Sequence, residues 1–134
     1  MPEPTDPSPF DELLGTEWLD YDPDRARVRL EVSDRHRQPL GLVHGGVLST
    51  LVESICSRAT ALAVRDGQAV ATGQSQSTSF LRPFTEGHVN VEARALHRGR
   101  TSWVWEARVT NDEGKLCALS QMTVAVRPIP RSGS

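Results

Sequence analysis

The combination of residues best suited to chemistry is a glycine pair at a helix start followed by a carboxylate. Gly45 and Gly46 open a helical pattern, and the free N–H groups and aligned peptide dipoles at such a start favour negative charge. Glu53 follows about two turns later on the same helix. The polar side chains that could flank both groups are Gln38, His44 and Ser57. An N–H donor and a carboxylate acting on one carbonyl predict acyl transfer or hydrolysis.

Glu53 also has an ordinary structural interpretation. A helical glutamate commonly forms a surface ion pair, and Arg58 or another arginine could supply the cation. Its neighbours at i±4, Ser49 and Ser57, are neutral and small, so the helix itself offers no partner on that face. A carboxylate shielded from water becomes a better base or nucleophile near neutral pH. Spacing alone leaves both interpretations open.

The other candidate residues carry alternatives of the same kind. The glycines could simply begin the helix, or they could let an N–H group donate to a developing oxyanion. His44 alone is typical of a structural histidine. A basic cluster could be a solvated strand edge protected from aggregation, or it could meet the phosphates of an extended anionic ligand; its members are Arg82, Arg98, Arg100 and Arg127.

Composition narrows the functional class. The chain has 134 residues, the size of one domain, with 24% charged residues and a net charge of −2. This balance gives no electrostatic reason to expect nucleic acid or a membrane surface. No apolar run approaches the roughly 20 residues that span a bilayer, and the acidic, proline-rich N-terminus is unlike a secretion signal. Cys56 and Cys117 are expected to be buried free thiols in a reducing compartment, so we expect a cytoplasmic protein.

Several other chemistries lack their motifs. The sequence contains neither a Gly-x-Ser-x-Gly elbow nor Ser-x-x-Lys. It also lacks a Walker loop and a dinucleotide-binding glycine motif. The four histidines are too scattered for a recognisable metal site. We therefore expect neither a metal nor a cofactor.

The hydrophobic pattern predicts one α+β domain spanning residues 1–134. A short helix begins at Ser8 and ends at Gly15, and a long helix runs from Gly45 to about residue 64, capped by Gly67. Five or six antiparallel strands are expected to wrap around the long helix; they fall near residues 18–21, 27–32, 70–81, 89–95, 103–110 and 116–126. Residues 1–7 and 128–134 are expected to be flexible.

The apolar face of the long helix is expected to pack against the sheet. The opposite, polar face is expected to be covered by another part of the protein or by a partner. The apolar positions recur at helical spacing: Leu48, Leu51, Ile55, Ala59 and Leu62. The opposite face is small or polar instead of highly charged: Ser49, Glu53, Cys56, Ser57 and Thr60.

These motifs resemble those of the hotdog-fold acyl-CoA thioesterases. The resemblance is carried by residues 38–46 (Gln-Pro-Leu-Gly-Leu-Val-His-Gly-Gly) and 51–57, and by residues 80–83, 96–100 and 109–116. It is strongest to the branch of the Arthrobacter-type 4-hydroxybenzoyl-CoA thioesterase and the enterobacterial 1,4-dihydroxy-2-naphthoyl-CoA thioesterases. The phenylacetate-pathway thioesterases are similar but commonly carry Asp at the position of Glu53.

The resemblance implies a role for each candidate residue. Glu53 would attack the thioester carbonyl or act as general base, and the Gly45 N–H would polarise that carbonyl. Gln38 and His44 would orient the thioester and ease departure of the thiolate, and Ser57 would place the hydrolytic water. The residues expected to face substrate or the CoA nucleotide are Gly46, Arg82, Arg98, Arg100 and Thr101. Phe80 departs from the polar residue of some relatives.

The resemblance also implies an assembly. Two subunits would join their sheets edge to edge, each active site taking its glutamate from one subunit and its glycine loop from the other, and dimers would pair into homotetramers. The expected substrate is an acyl-CoA with an aryl or medium acyl group, and CoA is part of that substrate, not a cofactor. The alternatives are a hotdog acyl-CoA hydratase or dehydratase, which uses a different His/Asp or His/Glu pairing, and a non-catalytic acyl-CoA binding protein.

Overall fold

A six-stranded antiparallel sheet packs around one long helix in the computed structural model, which describes residues 3–130. The helices are α1 (Pro9–Leu14) and α2 (Gly45–Val64). The strands are β1 (Thr16–Asp22), β2 (Arg25–Glu31), β3 (Ala69–Phe80), β4 (His88–Arg98), β5 (Ser102–Thr110) and β6 (Leu116–Pro128). Their order across the sheet is β1-β2-β4-β5-β6-β3. The predicted α+β architecture is confirmed, and it is the hotdog arrangement that the resemblance implied.

Helix α2 forms the centre of the core. Leu51, Ile55 and Ala59 are fully buried and α2 contacts every strand of the sheet. By length and hydropathy the segment Gly45–Gly67 would qualify as a membrane span, contrary to the expectation that no apolar run approaches that length. Its apolar side chains instead fill the space between the helix and the sheet.

The buried stripe of α2 is wider than the sequence pattern predicted. Cys56 and Thr60, expected on the polar face, are completely buried. Thr60 donates its hydroxyl to the Cys56 carbonyl at 2.7 Å and accepts from Trp105 Nε1 at 2.8 Å. Together with Val52, one turn before Cys56, these small residues form a second row beside the predicted stripe. The assignment of Cys56 and Thr60 to the polar face is therefore wrong.

The end of α2 also differs from the prediction. The helix ends at Val64 and tightens into a 3₁₀ turn over Arg65–Gly67. The left-handed position falls on Gln68, with φ of 56°, and not on Gly67. The predicted cap is displaced by one residue because the last turn closes with three residues per turn.

The N-terminal helix α1 begins and ends at the predicted capping residues. The Ser8 side chain accepts from the Asp11 N–H at 3.4 Å, and Gly15 closes the helix with φ of 86°. Residues 1–2 and 131–134, part of the expected flexible ends, lie outside the described residues. Within the described part, Glu3 pairs with Arg65 at 3.1 Å on the end of α2.

The two cysteines are buried and free, as predicted. Cys56 lies on α2 and Cys117 on β6, and both side chains are inaccessible to solvent. Burial is the largest effect on each thiol and raises the pKa of both. Neither thiol is therefore activated as a nucleophile.

The two edges of the sheet have different chemistry. Strand β1 is short, carries three acidic residues and has an irregularity between Trp18 and Asp20. Strand β3 also has one irregularity, between Gly73 and Ser75, but it is twelve residues long, with no charged residue and no proline. Charges, irregularities and short length protect a sheet edge from pairing, whereas a long uncharged edge invites it. The fold thus presents one protected edge and one edge suited to pairing.

Candidate active site

The N-terminus of α2 leaves one backbone donor free. Gly46 donates its N–H to His44 Nδ1 at 2.8 Å, and Val47 donates to the His44 carbonyl at 2.9 Å. Among residues 3–130, no group accepts a hydrogen bond from the Gly45 N–H. The donor that the sequence singled out is therefore available, at the end of the helix where the dipole favours negative charge.

The loop before α2 is fixed by buried His36. His36 Nδ1 accepts from the Ser33 N–H at 2.9 Å, and Nε2 donates to the Leu14 carbonyl at 2.7 Å. The His36 carbonyl in turn accepts from the His44 N–H at 2.8 Å. This histidine links the end of α1 to the start of α2. Sequence reasoning did not single it out, because no spacing pattern marks a histidine whose partners are backbone groups.

The hydrogen bond from Gly46 also determines the tautomer of His44. Because Nδ1 accepts that bond, the proton of the neutral ring lies on Nε2. The side chain is exposed, so Nε2 presents a donor at the surface of the helix start. His44 is thus both the N-cap of α2 and a free hydrogen-bond donor.

A cavity of about 440 Å³ lies beside Gly45. Its lining residues come from the loop before α2, from α2 and from the end of β3: Gln38, Leu42, Val43, Gly45, Leu48, Phe80, Leu81, Arg82, Pro83 and Phe84. The side-chain amide oxygen Oε1 of Gln38 accepts from the Leu40 N–H, which holds this side chain in place. The structure therefore brings the predicted residues Gln38, Gly45 and Arg82 to one cavity.

Glu53 lies further along α2, facing the edge strand β3. Its Oε1 is 3.4 Å from the point where a Cβ on Gly73 would stand. No arginine or lysine within residues 3–130 forms an ion pair with it. Arg58 instead lies 3.7 Å above the Trp18 ring and donates to the Asp6 carbonyl. The surface ion pair that was the ordinary interpretation is not formed.

Ser57 has a buried hydroxyl without a partner. Its Oγ is shielded from solvent and makes no hydrogen bond within the described residues. A buried hydroxyl in this state costs about 1–3 kcal/mol. Such a group one turn after Glu53 is an unmet donor and acceptor close to the carboxylate.

Glu53 and Gly45 do not flank a common point within one chain. They are eight residues apart on α2, about 12 Å at 1.5 Å per residue. A thioester carbonyl bound at the Gly45 N–H of one chain is therefore out of reach of the Glu53 of the same chain.

The prediction that Arg82 lies in one basic cluster with Arg98 and Arg100 is wrong for a single chain. The Arg82 N–H donates to the carbonyl of Cys117 near the start of β6, whereas the Thr101 carbonyl accepts from the Val126 N–H near its end. Nine residues of β6 separate these contacts, about 30 Å. Strand topology therefore divides the cluster, placing Arg82 at one end of the sheet and the turn with Arg98, Arg100 and Thr101 at the other.

Arg98 is already engaged in the fold. It pairs with Asp24 and lies 5.8 Å over the Trp103 ring. Arg127 donates to the Thr101 carbonyl at 2.7 Å, while Arg100 is exposed at the turn. Within residues 3–130, no three His, Cys, Asp or Glu side chains are placed to hold a metal ion.

Comparisons with known proteins identify the family of this chain. A family model described as the thioesterase superfamily matches residues 40–118. The chain is 36% identical to the proofreading thioesterase EntH of Cronobacter turicensis, over 86% of this chain and 83% of that protein. It is 33% identical to a 1,4-dihydroxy-2-naphthoyl-CoA hydrolase of Listeria monocytogenes, over 87% and 94%.

A solved structure shows the same fold. The crystal structure of a thioesterase from Haemophilus influenzae superposes with a TM-score of 0.86 at 30% identity, covering 93% of this chain and 87% of that one. The chain belongs to the thioesterase superfamily and is a thioester hydrolase with the hotdog fold.

Proposed function

We propose that the protein hydrolyses an acyl-CoA thioester to the free acid and CoA. The observation that supports this most directly is the free N–H of Gly45 at the start of a 20-residue helix, beside a cavity with apolar walls. A thioester oxygen accepting this N–H gains negative charge as the carbonyl is attacked. The helix dipole stabilises that charge.

The proposed active site lies between two copies of the chain. Strand β3 is a long, uncharged edge, and antiparallel pairing with the β3 of a second copy would continue the sheet. Glu53 lies beside this edge, while Gly45 of the same chain is too distant to share a carbonyl with it. A homodimer joined through β3 would therefore let Glu53 of one copy meet Gly45 of the other. Pairing of dimers into a tetramer is part of the proposal, by resemblance alone.

The reaction then uses groups from both copies. Glu53 either attacks the carbonyl carbon, forming an anhydride and expelling the CoA thiolate, or removes a proton from a water molecule that attacks instead. In the first route, water hydrolyses the anhydride and restores the carboxylate. The His44 Nε2–H and the Gln38 amide donate to the thioester group and the departing sulfur. Ser57, one turn after Glu53, would place the attacking water, and for this its hydroxyl must turn out of the position in which a single chain shields it from solvent.

The same pairing explains how the divided arginines could serve one CoA. An antiparallel β3 pair sets the end of one β3 beside the start of the other. Arg82 of one copy would then lie at the same end of the joined sheet as Arg98, Arg100 and Thr101 of the second copy. An extended nucleotide with phosphates suits such a spread of positive charge. The relative from Listeria monocytogenes is named for a CoA thioester, which supports the same substrate class.

We place the enzyme in the cytoplasm. The two free, buried thiols suit a reducing compartment.

Glu53→Gln tests the proposed chemistry. The variant keeps the shape of the side chain and removes its base, so kcat is expected to fall by about 10²–10⁴ for every acyl-CoA that the protein hydrolyses. The melting temperature should stay close to that of the wild type, because Glu53 forms no ion pair within the described part of the chain that the substitution would break. Release of free thiol is the measurement, and Glu12→Gln, at an exposed position on α1, is the matched control. Turnover near that of the control would contradict the proposal.

A further inference from the structure

The cavity beside Gly45 has apolar walls and few groups for a polar ligand. Val43, Leu48 and Phe84 are buried and form its floor. Its two polar side chains are Gln38, whose amide oxygen is already used by the Leu40 N–H, and Arg82. The pantetheine arm of CoA carries two amides, whose burial without hydrogen bonds is costly. The walls therefore suit the acyl group better than the pantetheine arm.

Phe80 closes this cavity on the side of Gly45. It lies at the end of β3, in register with buried Ala118, so its side chain is directed to the face of the sheet that carries α2. Two atoms of its ring lie 2.9 and 3.0 Å from the point where a Cβ on Gly45 would stand. The ring thus rests on the backbone of the residue that offers the free N–H.

The Phe80 ring can be changed without opening the core. Its side chain is 55% exposed, and the core beneath it is closed by other residues. Among the residues that line the cavity, Phe80 is the one whose ring packs directly on Gly45. An acyl group whose carbonyl binds the Gly45 N–H must therefore pass this ring to enter the cavity.

We infer that Phe80 is a specificity-determining residue that limits the size of the acyl group admitted beside Gly45. The inference rests on the proposed function, because it assumes that the carbonyl binds at Gly45. A smaller side chain enlarges the entrance and admits longer acyl groups. A larger ring narrows the entrance and favours short ones.

The test compares octanoyl-CoA with butanoyl-CoA in variants that have a smaller or a larger side chain at position 80. The ratio of kcat/KM for octanoyl-CoA to that for butanoyl-CoA should rise at least about tenfold in Phe80→Ala and fall in Phe80→Trp, because hydrophobic pockets discriminate by such factors per misfitted group. Phe80→Leu should lie between them. Leu96→Ala, which removes a comparably exposed apolar side chain of β4 outside the cavity, should leave the ratio unchanged.

A binding measurement separates this inference from the proposed chemistry. Analogues of the same two ligands, in which a methylene group replaces the thioester sulfur so that they cannot be hydrolysed, are titrated calorimetrically into the wild-type protein and into Phe80→Ala. A shift in the ratio of the two Kd values supports the inference even if Glu53→Gln alone retains hydrolysis and so refutes the role of Glu53. Equal changes for both ligands, or none, would show that Phe80 does not select the acyl group. Failure of the wild-type protein to bind or hydrolyse octanoyl-CoA, butanoyl-CoA and benzoyl-CoA would overturn both proposals.

Discussion

At the scale of residues, the candidate site depends on the absence of a side chain at Gly45. Without a Cβ it accepts the Phe80 ring against its backbone, and its N–H is free while the next two N–H groups are used by His44. Glycine is thus required here by close approach and not by backbone conformation, since its φ is not positive. The sequence alone could not tell this role from that of a helix start.

Comparing Gly45→Pro with Gly45→Ala separates the effect of losing the Gly45 N–H donor from the effect of adding a Cβ beside Phe80. Both add a Cβ that presses on Phe80, but only proline removes the N–H. Proline is well tolerated at the first position of a helix, so both variants should fold. We expect kcat of Gly45→Pro to fall about 10²–10³ below that of Gly45→Ala. Steady-state thiol release provides the comparison, and equal rates in the two variants would remove the Gly45 N–H from the mechanism.

Ser57→Ala distinguishes a functional hydroxyl from a structural one. Because the Oγ of Ser57 is buried without a partner, its removal should leave the melting temperature unchanged or raise it. If the hydroxyl places water, kcat should nevertheless fall, by about tenfold for one lost neutral hydrogen bond. Calorimetry and kinetics on the same sample test both parts. A variant that is less stable but fully active would assign Ser57 to the fold alone.

At the scale of elements, local signals predicted most of the architecture. The caps Ser8 and Gly15 and the strand alternation reflect short-range physics, and they placed the elements within a few residues of their bounds. The incorrect predictions concern features that depend on contacts between elements distant in sequence. Thr60 is buried because Trp105, distant in sequence, needs a hydrogen-bond acceptor. The basic cluster failed because β3 and β4 run in opposite directions, which places Arg82 after β3 and Arg98 at the end of β4 at opposite ends of the sheet.

The candidate site could be predicted as a set of residues but not as an arrangement. Gln38, Gly45 and Glu53 were marked by residue type and position on one helix. Their separation along α2 follows from helix geometry, yet the proposal that the site is shared between chains depends on which strand lies at the sheet edge. Phe80 was noticed only as a departure from relatives. Its contact with Gly45 is visible only in three dimensions.

Strand β3 gives a prediction about assembly. Ser75→Lys places a charge in the middle of the long uncharged edge, and in a symmetric dimer paired about that point the two lysines would lie close together. Like charges so placed cost several kcal/mol, so the dimer dissociation constant should rise at least tenfold, with a parallel loss of activity on dilution. Analytical ultracentrifugation measures the first and thiol release the second. Leu19→Lys on β1, the other edge, is the control and should change neither.

At the scale of the whole molecule, the proposed active site requires two chains. A single chain has the free Gly45 N–H and an apolar cavity at the start of α2. Further along the same helix, Glu53 lies beside the edge strand β3. Each half would be completed by a second copy. Helix and sheet therefore do more than support the site, since the strand that ends the sheet determines where the two halves can meet.

The most direct test of this shared site is complementation between two inactive variants. Glu53→Gln and Gly45→Pro, each nearly inactive alone, are mixed in equal amounts and allowed to exchange subunits. In each mixed dimer, one site would combine Glu53 from one variant with Gly45 from the other, so activity should recover to about a quarter of wild type for random pairing of a symmetric dimer. A mixture whose subunits have exchanged but which stays as inactive as its components would contradict a site shared between chains.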